Sequence, residues 1–280
     1  MKRTIIFVLL APFLLSWSGY VHQYMAEIAI ERLPQEQIDV MGRYREDLIS
    51  IYCLIPDKER SDSIYKPYLD SFFESYMLID IPRSIERNIL HHADRSENNY
   101  MVYEYYTKTI CEKLKEGDIE EAMKYLGTFL HFLQDTSCPA HNRFGRYQLM
   151  RGEERDLLDE HFASLNYFKR FMPVPEKYKD IRFHRIIDPA GFDLVQLRER
   201  VGNYEPSLLG ENLSSLINTL KVRHEEMMAE SDKTLLYMLQ ARLNDDNEKF
   251  AKYGLDAAEP SVKLAADFMY TIMEIYTNTN

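Results

Sequence analysis

One segment, residues 119–136, constrains the fold of this chain more than any other. Its sequence, IEEAMKYLGTFLHFLQDT, is rich in good helix formers and carries apolar residues at helical spacing, so it predicts a helix. His131 and Asp135 lie four residues apart within it, and residues at that spacing share one face of a helix. Such a pair is typical either of an ordinary hydrogen bond, buried or exposed, or of a metal site.

The residues after this segment favour the metal interpretation. Pro139 predicts a turn at the end of the helix, and His141 follows directly. A histidine at that place can reach a second metal ion beside one held by His131 and Asp135. Zinc accepts this mixture of nitrogen and oxygen ligands. The choice between the two interpretations depends on the other histidines of the chain.

Gly127 lies one turn before His131 on the same predicted helix face. A glycine in the middle of a helix costs about 1 kcal/mol relative to alanine. Its presence therefore needs a specific reason, and we expect that reason to be space for a bulky site.

Helical patterning also dominates the rest of the chain. Apolar residues recur at spacings of three and four in segments 21–34, 70–79, 82–94, 98–117, 154–171, 208–243 and 259–276. Segments that alternate polar and apolar residues, as half-buried strands do, are absent from the sequence. The sequence therefore predicts an all-α protein, a multi-helix bundle with a metal cleft between helices.

The N-terminus has the features of a secretory signal peptide. Lys2 and Arg3 precede the apolar run TIIFVLLAPFLL, which is too short to span a membrane comfortably, and Ser16 follows. We expect residues 1–16 to be removed and the protein to be secreted or periplasmic. No second long apolar run follows, so no transmembrane segment is expected after removal of the leader.

The mature chain, residues 17–280, is expected to form a single domain. Its ligand-bearing part is predicted over 17–170, and its C-terminal helices are predicted over 193–280. The intervening stretch 172–192 contains three prolines and predicts a surface loop.

Charge and cysteine content give weaker indications. The chain has 34 basic and 45 acidic residues, a formal net charge of −11, which argues mildly against sequence-independent binding to nucleic acid. Its three cysteines are an odd number and do not form a disulfide framework. Cys53 and Cys138 each lie close to a proposed ligand, so a bridge between them is the pairing we consider.

Further polar residues are candidate ligands when taken one at a time. His22 begins a predicted helix soon after Trp17, whose free amino group and carbonyl would be available after leader removal. Asp57 follows a proline in a predicted loop, where an ordinary turn or cap is the alternative. His224 has charged neighbours, which favour a solvent-exposed position.

The order of these residues resembles the zinc-dependent phospholipase C and single-strand-specific nuclease superfamily. The residues that carry the resemblance are Trp17, His22, Asp57, His91 within HHAD, His131, Asp135 and His141. The resemblance implies a mostly helical fold that holds two to three zinc ions in one cleft. It also implies that one ion has four ligands, which are Asp57, His91, His131 and Asp135. Asp135 would bridge to a second ion bound by Trp17 and His22.

The third ion of that superfamily is implied less completely. His141 would bind it, and His161 is the candidate for the second histidine. Leu165 stands where the family pattern has a carboxylate. The possible substitutes are Glu160, Asp159, a water molecule, or the pair formed by His184 and Asp188.

The resemblance implies an exported zinc-dependent phosphoric diester hydrolase that uses a zinc-bound hydroxide. Asp57 is the expected catalytic residue, orienting or deprotonating the attacking water. Asp94 is a candidate hydrogen-bond partner of a ligand imidazole, or else a surface acid. Phospholipid is favoured over nucleic acid because the chain is acidic, and contact with a membrane surface would be transient. The alternatives are a single-strand nuclease or 3′-nucleotidase with the same site, and a catalytically degenerate helical binding protein with structural metals.

Overall fold

A computed structural model describes residues 19–58, 62–75, 90, 97–139, 141 and 193–277. Every regular element within those ranges is a helix, which confirms the all-α class. The predicted leader, the predicted loop 172–192 and Leu165 lie outside the described residues. So do several candidate site residues, which are Trp17, His91, Asp94, Asp159, Glu160, His161, His184 and Asp188.

The N-terminal half of the described chain consists mainly of short helices. They are α1 (Gly19–Ile30), α2 (Gln35–Met41), α3 (Tyr44–Ser50), a 3₁₀ helix (Tyr52–Leu54), α4 (Ile55–Lys58) and α5 (Pro67–Ser75). Longer helices follow, and they are α6 (Glu97–Lys115), α7 (Ile119–Ser137), α8 (Leu194–Val201), α9 (Leu213–Leu243) and α10 (Asn247–Thr277).

Helix α7 is the centre of the bundle. Its N-terminus is capped by the Asp118 carboxylate, which accepts a hydrogen bond from the Glu121 backbone N–H. Every residue of α7 from 126 to 137 is buried, because α6, α9, α10 and the 3₁₀ helix all pack against this part of the helix. Aromatic rings fill these contacts; Phe129, for example, meets Phe268 of α10 edge to face with ring centroids 4.7 Å apart. A polar residue on this part of α7 is therefore held in the interior of the protein.

Helices α9 and α10 form a long hairpin joined by three residues, 244–246. Helix α10 begins twelve residues before the segment predicted from sequence, because Pro260 lies inside the helix rather than near its start. A proline removes one backbone hydrogen bond from a helix interior. Buried residues on both sides of it, including Leu255 and Leu264, keep the helix packed against the bundle.

His224 of α9 is fully buried, so the prediction of an exposed position is wrong. Its Nδ1 lies 2.8 Å from the hydroxyl of Tyr103, and its ring packs against Phe132. The adjacent charged residues misled the prediction. The helical neighbours three and four positions away, Met227 and Met228, are buried and define the face that His224 shares.

All three cysteines lie in the described part of the chain, and none of them forms a disulfide. The pairing of Cys53 with Cys138 is therefore wrong. Both side chains are fully buried, and burial raises the pKa of the Cys53 thiol to about 12. None of the described helices is long and apolar enough to cross a membrane.

Candidate metal site

The carboxylate of Asp135 lies among three imidazole rings. Its Oδ2 is 3.2 Å from Nε2 of His131 and 3.4 Å from Nδ1 of His141, and its Oδ1 is 3.5 Å from Nε2 of His22. All four side chains are buried. A carboxylate with imidazoles facing both of its oxygens has the arrangement expected of a ligand that bridges two cations.

Asp57 brings a second carboxylate to the same place. One ligand atom each from His22, Asp57 and His131 lie within 4.8 Å of one another. Asp57 is in the short helix α4 rather than in the predicted loop, and it is exposed although both histidines are buried. The cluster therefore has a buried interior and an acidic residue that solvent can reach.

Three parts of the chain deliver these side chains. Helix α7 supplies His131 and Asp135 one turn apart, as their spacing predicted, and α1 supplies His22. After α7 ends at Ser137, the backbone N–H of His141 donates to the Cys138 carbonyl at 2.9 Å. This turn places His141 next to Asp135. The assignment of His141 to a third ion stays a prediction.

Hydrogen bonds on the far side of two rings determine how those rings are oriented. Nδ1 of His131 lies 2.8 Å from the Cys53 carbonyl, and Nδ1 of His22 lies 2.6 Å from Oε1 of Gln134. Both partners are acceptors, so each Nδ1 carries the hydrogen and donates it. In the neutral rings the lone pair is then on Nε2, which faces Asp135. This is the ring orientation that metal-binding histidines usually have.

The surroundings of the site shift the pKa values of His131 and His22 in opposite directions. Burial lowers the pKa of His131, but the charges of Asp135 and Asp57 and the hydrogen bonds raise it to about 9. Burial and the charge of His131 lower the pKa of His22 to about 4, against the opposing carboxylates. The carboxylates of Asp57 and Asp135 both lie against these buried rings, and a divalent cation would offset their charge. The nitrogen and oxygen donors fit zinc.

Gly127 has a different role from the predicted one. A Cβ atom at this position would lie 2.5 Å from the backbone carbonyl carbon of Tyr52 and 2.8 Å from the nitrogen of Cys53. The glycine therefore allows the 3₁₀ helix to touch α7 backbone to backbone, rather than making space for a bulky site. That contact lies one turn from His131 and brings the Cys53 carbonyl to its Nδ1.

Sequence reasoning missed the two groups that orient the rings. The Cys53 carbonyl belongs to the backbone and has no sequence signal. Gln134 did have one, since an amide between apolar residues and a proposed ligand in a buried helix is costly unless hydrogen-bonded. The structure brings together every predicted ligand that lies among the described residues. These ligands are His22, Asp57, His131, Asp135 and His141.

The fold and the site together define an all-α protein with a buried histidine–carboxylate cluster suited to zinc. The sequence profile of the zinc-dependent phospholipase C family matches residues 21–194, which is more than half of the chain. The chain belongs to the zinc-dependent phospholipase C family. The matched range includes every described residue of the cluster. Comparison with curated proteins and with solved structures gave no match.

Proposed function

We propose that this protein is an exported zinc-dependent phosphodiesterase that hydrolyses phospholipids in the manner of a phospholipase C. The observation that carries the proposal is the position of Asp135, whose two carboxylate oxygens face imidazoles of three histidines. Membership of the zinc-dependent phospholipase C family supports a hydrolase that uses zinc.

The described residues that would hold zinc are His22, Asp57, His131, Asp135 and His141. The resemblance adds Trp17, His91 and His161, which would bring the total to two or three ions. Zinc, when bound, lowers the pKa of water and neutralises charge on phosphoryl oxygens.

Residues of the chain itself would supply proton transfer and exclude bulk water. Asp57 is the acidic residue of the cluster that solvent can reach, so it is placed to orient a water molecule and accept its proton. Proton transfer of this kind contributes about 10²–10⁴-fold to a rate. The buried side chains of His22, His131 and Asp135 exclude bulk water from the interior of the site.

Two observations support a phospholipid substrate. The family that matches the chain is described as a phospholipase C. The net charge of −11 disfavours long-range attraction of a polyanion such as nucleic acid. Transient contact with a membrane surface follows from the same proposal, because the substrate would be presented in a bilayer.

Parallel assays on phosphatidylcholine vesicles and on single-stranded DNA test the substrate and the role of Asp57. We expect the zinc-loaded protein to cleave the lipid, and Asp57→Asn to lower kcat by about 10²–10⁴-fold, because the amide cannot accept the proton. Asp70→Asn is the matched control, since Asp70 is an acid of α5 paired with Lys66, and it should retain wild-type kcat.

Each other outcome of these assays has a defined meaning. Cleavage of DNA alone would identify a nuclease or nucleotidase with the same site. Bound zinc without cleavage of either substrate would identify a helical binding protein with structural metals. Wild-type turnover by Asp57→Asn would remove Asp57 from the catalytic step.

Native mass spectrometry of protein recovered from the periplasm or medium tests export and metal content together. We expect a mature chain that begins at Trp17 and carries two or three zinc ions. Cleavage after Gly19 would delete Trp17 and leave its proposed ion with too few ligands. Absence of the protein from the periplasm and medium would contradict export, retention of residues 1–16 would contradict cleavage of the leader, and a mass without zinc would contradict the site.

A further inference from the structure

Gln134 is the side chain in contact with Nδ1 of His22. It lies in the fully buried part of α7, with its Oε1 2.6 Å from that ring nitrogen. Its Nε2 donates to the backbone carbonyl of His22 at 3.4 Å. The two ends of one amide therefore contact the ring and the backbone of the same residue.

The contact with the backbone determines which end of the amide faces the ring. Only Nε2 can donate to the His22 carbonyl, so Oε1 must point towards Nδ1. An oxygen there requires Nδ1 to carry the hydrogen, which leaves the lone pair of the neutral ring on Nε2, 3.5 Å from Oδ1 of Asp135. Gln134 thus determines both the tautomer and the direction of the ring.

The two stacked histidines of the site are oriented by different kinds of group. The rings of His22 and His131 are 3.9 Å apart and nearly parallel. The acceptor for His131 is the Cys53 carbonyl, a backbone group that every substitution at Cys53 retains. The acceptor for His22 is a side chain, so the orientation of His22 depends on the identity of residue 134.

An apolar residue would otherwise suit position 134. The preceding residues Phe132 and Leu133 are fully buried, as is Gln134. An amide buried in such surroundings is costly unless both of its ends form hydrogen bonds. Both ends of the Gln134 amide form hydrogen bonds to His22, and these bonds compensate for the cost of burying the amide.

We propose that Gln134 is a positioning residue that holds His22 in the tautomer and orientation in which its Nε2 binds zinc. This inference rests on the proposed zinc site and adds to it a residue that does not touch the metal. Substituting a partner of this kind typically lowers metal affinity by about 10–100-fold.

Zinc affinity, measured by competition with a chelator, tests this in full-length protein with two substitutions. Gln134→Met has nearly the same size but accepts no strong hydrogen bond, and we expect it to bind zinc about 10–100-fold more weakly. Gln134→Glu keeps the acceptor and loses the donor to the His22 carbonyl, and we expect affinity equal to or above wild type. Thr128→Val is the control, because the hydroxyl of Thr128, a buried residue of α7, donates to the Lys124 carbonyl of its own helix and not to the site.

The nitrogen-15 chemical shifts of His22 in zinc-free protein provide a readout that a general loss of stability would not move. We expect the wild type and Gln134→Glu to hold hydrogen on Nδ1, and Gln134→Met to show a mixture of tautomers. This readout also separates the two proposals: if the wild type binds no zinc, the proposed function fails, and the shifts still decide the role of Gln134.

Two results would overturn the inference. The first is wild-type zinc affinity, or an unchanged tautomer, in Gln134→Met. The second is weakening by Gln134→Glu as large as that by Gln134→Met, which would show that the bond to the His22 backbone is what matters. Should Gln134→Met fail to fold, a mixture of His22 tautomers in the wild type or in Gln134→Glu overturns the inference, and hydrogen held on Nδ1 in both supports it.

Discussion

Asp135→Asn is expected to abolish phosphodiester hydrolysis and to leave the helix content intact. The substitution removes the negative charge from among three imidazoles, and it can place an N–H₂ donor where they present nitrogen atoms. Substituting a residue that only orients a metal ligand typically lowers metal affinity by up to about 100-fold. Because Asp135 would contact the ions directly, we expect its substitution to lower zinc affinity by more than that. Zinc content by mass spectrometry, turnover and far-UV circular dichroism measure the three effects.

Asp267→Asn is the matched control for that experiment. Asp267 is also a buried carboxylate in a helix, but it accepts hydrogen bonds from Tyr204 and Ser207 rather than facing histidines. We expect this variant to keep its zinc and its turnover. If Asp135→Asn also kept both, Asp135 would not be the bridging ligand of the site.

Gly127→Ala is expected to destabilise the protein by about 1–3 kcal/mol, the range for overpacking a well-packed interior. Alanine favours a helix over glycine by about 1 kcal/mol, so propensity alone predicts the opposite sign. The new Cβ would meet backbone atoms of Tyr52 and Cys53, which no side-chain rotation can move away. Displacement of the 3₁₀ helix would also take the Cys53 carbonyl away from His131, so zinc affinity should fall as well.

Urea unfolding of zinc-free protein and zinc titration measure these two effects separately. Gly19→Ala is the control, because among the described residues its Cβ would meet the Leu54 side chain, with the nearest carbon 3.3 Å away. That flexible side chain can adjust, and we expect little or no loss of stability. Wild-type stability in Gly127→Ala would show that the close backbone contact is not required.

Two of the predicted helices illustrate what periodicity can establish. Segment 119–136 was predicted as a helix and forms α7, Ile119–Ser137, because local hydrogen bonds and a fixed apolar spacing specify such an element. The start of α10 was placed too late, since Pro260 is a helix-breaking signal in isolation and is tolerated only where neighbours pack around it. The short helices α2 to α4 were not predicted, because seven residues or fewer carry too little periodicity.

The sequence by itself determined the all-α class, the family and the identity of the candidate ligands. Helical spacing places His131 and Asp135 on one face, and the order of His22 and Asp57 before them carries the resemblance. These properties depend on residue type and on spacing along the chain, which the sequence contains in full.

Only the tertiary structure decided how the site is held together. The acceptor for His131 is the Cys53 carbonyl, 78 residues away in the chain. The acceptor for His22 is Gln134, 112 residues away. Gly127 is required because a backbone 74 to 75 residues earlier passes against it, which no pattern within α7 reveals. Contacts between distant segments depend on how the helices pack, so the orientation of each ligand is a property of the folded bundle.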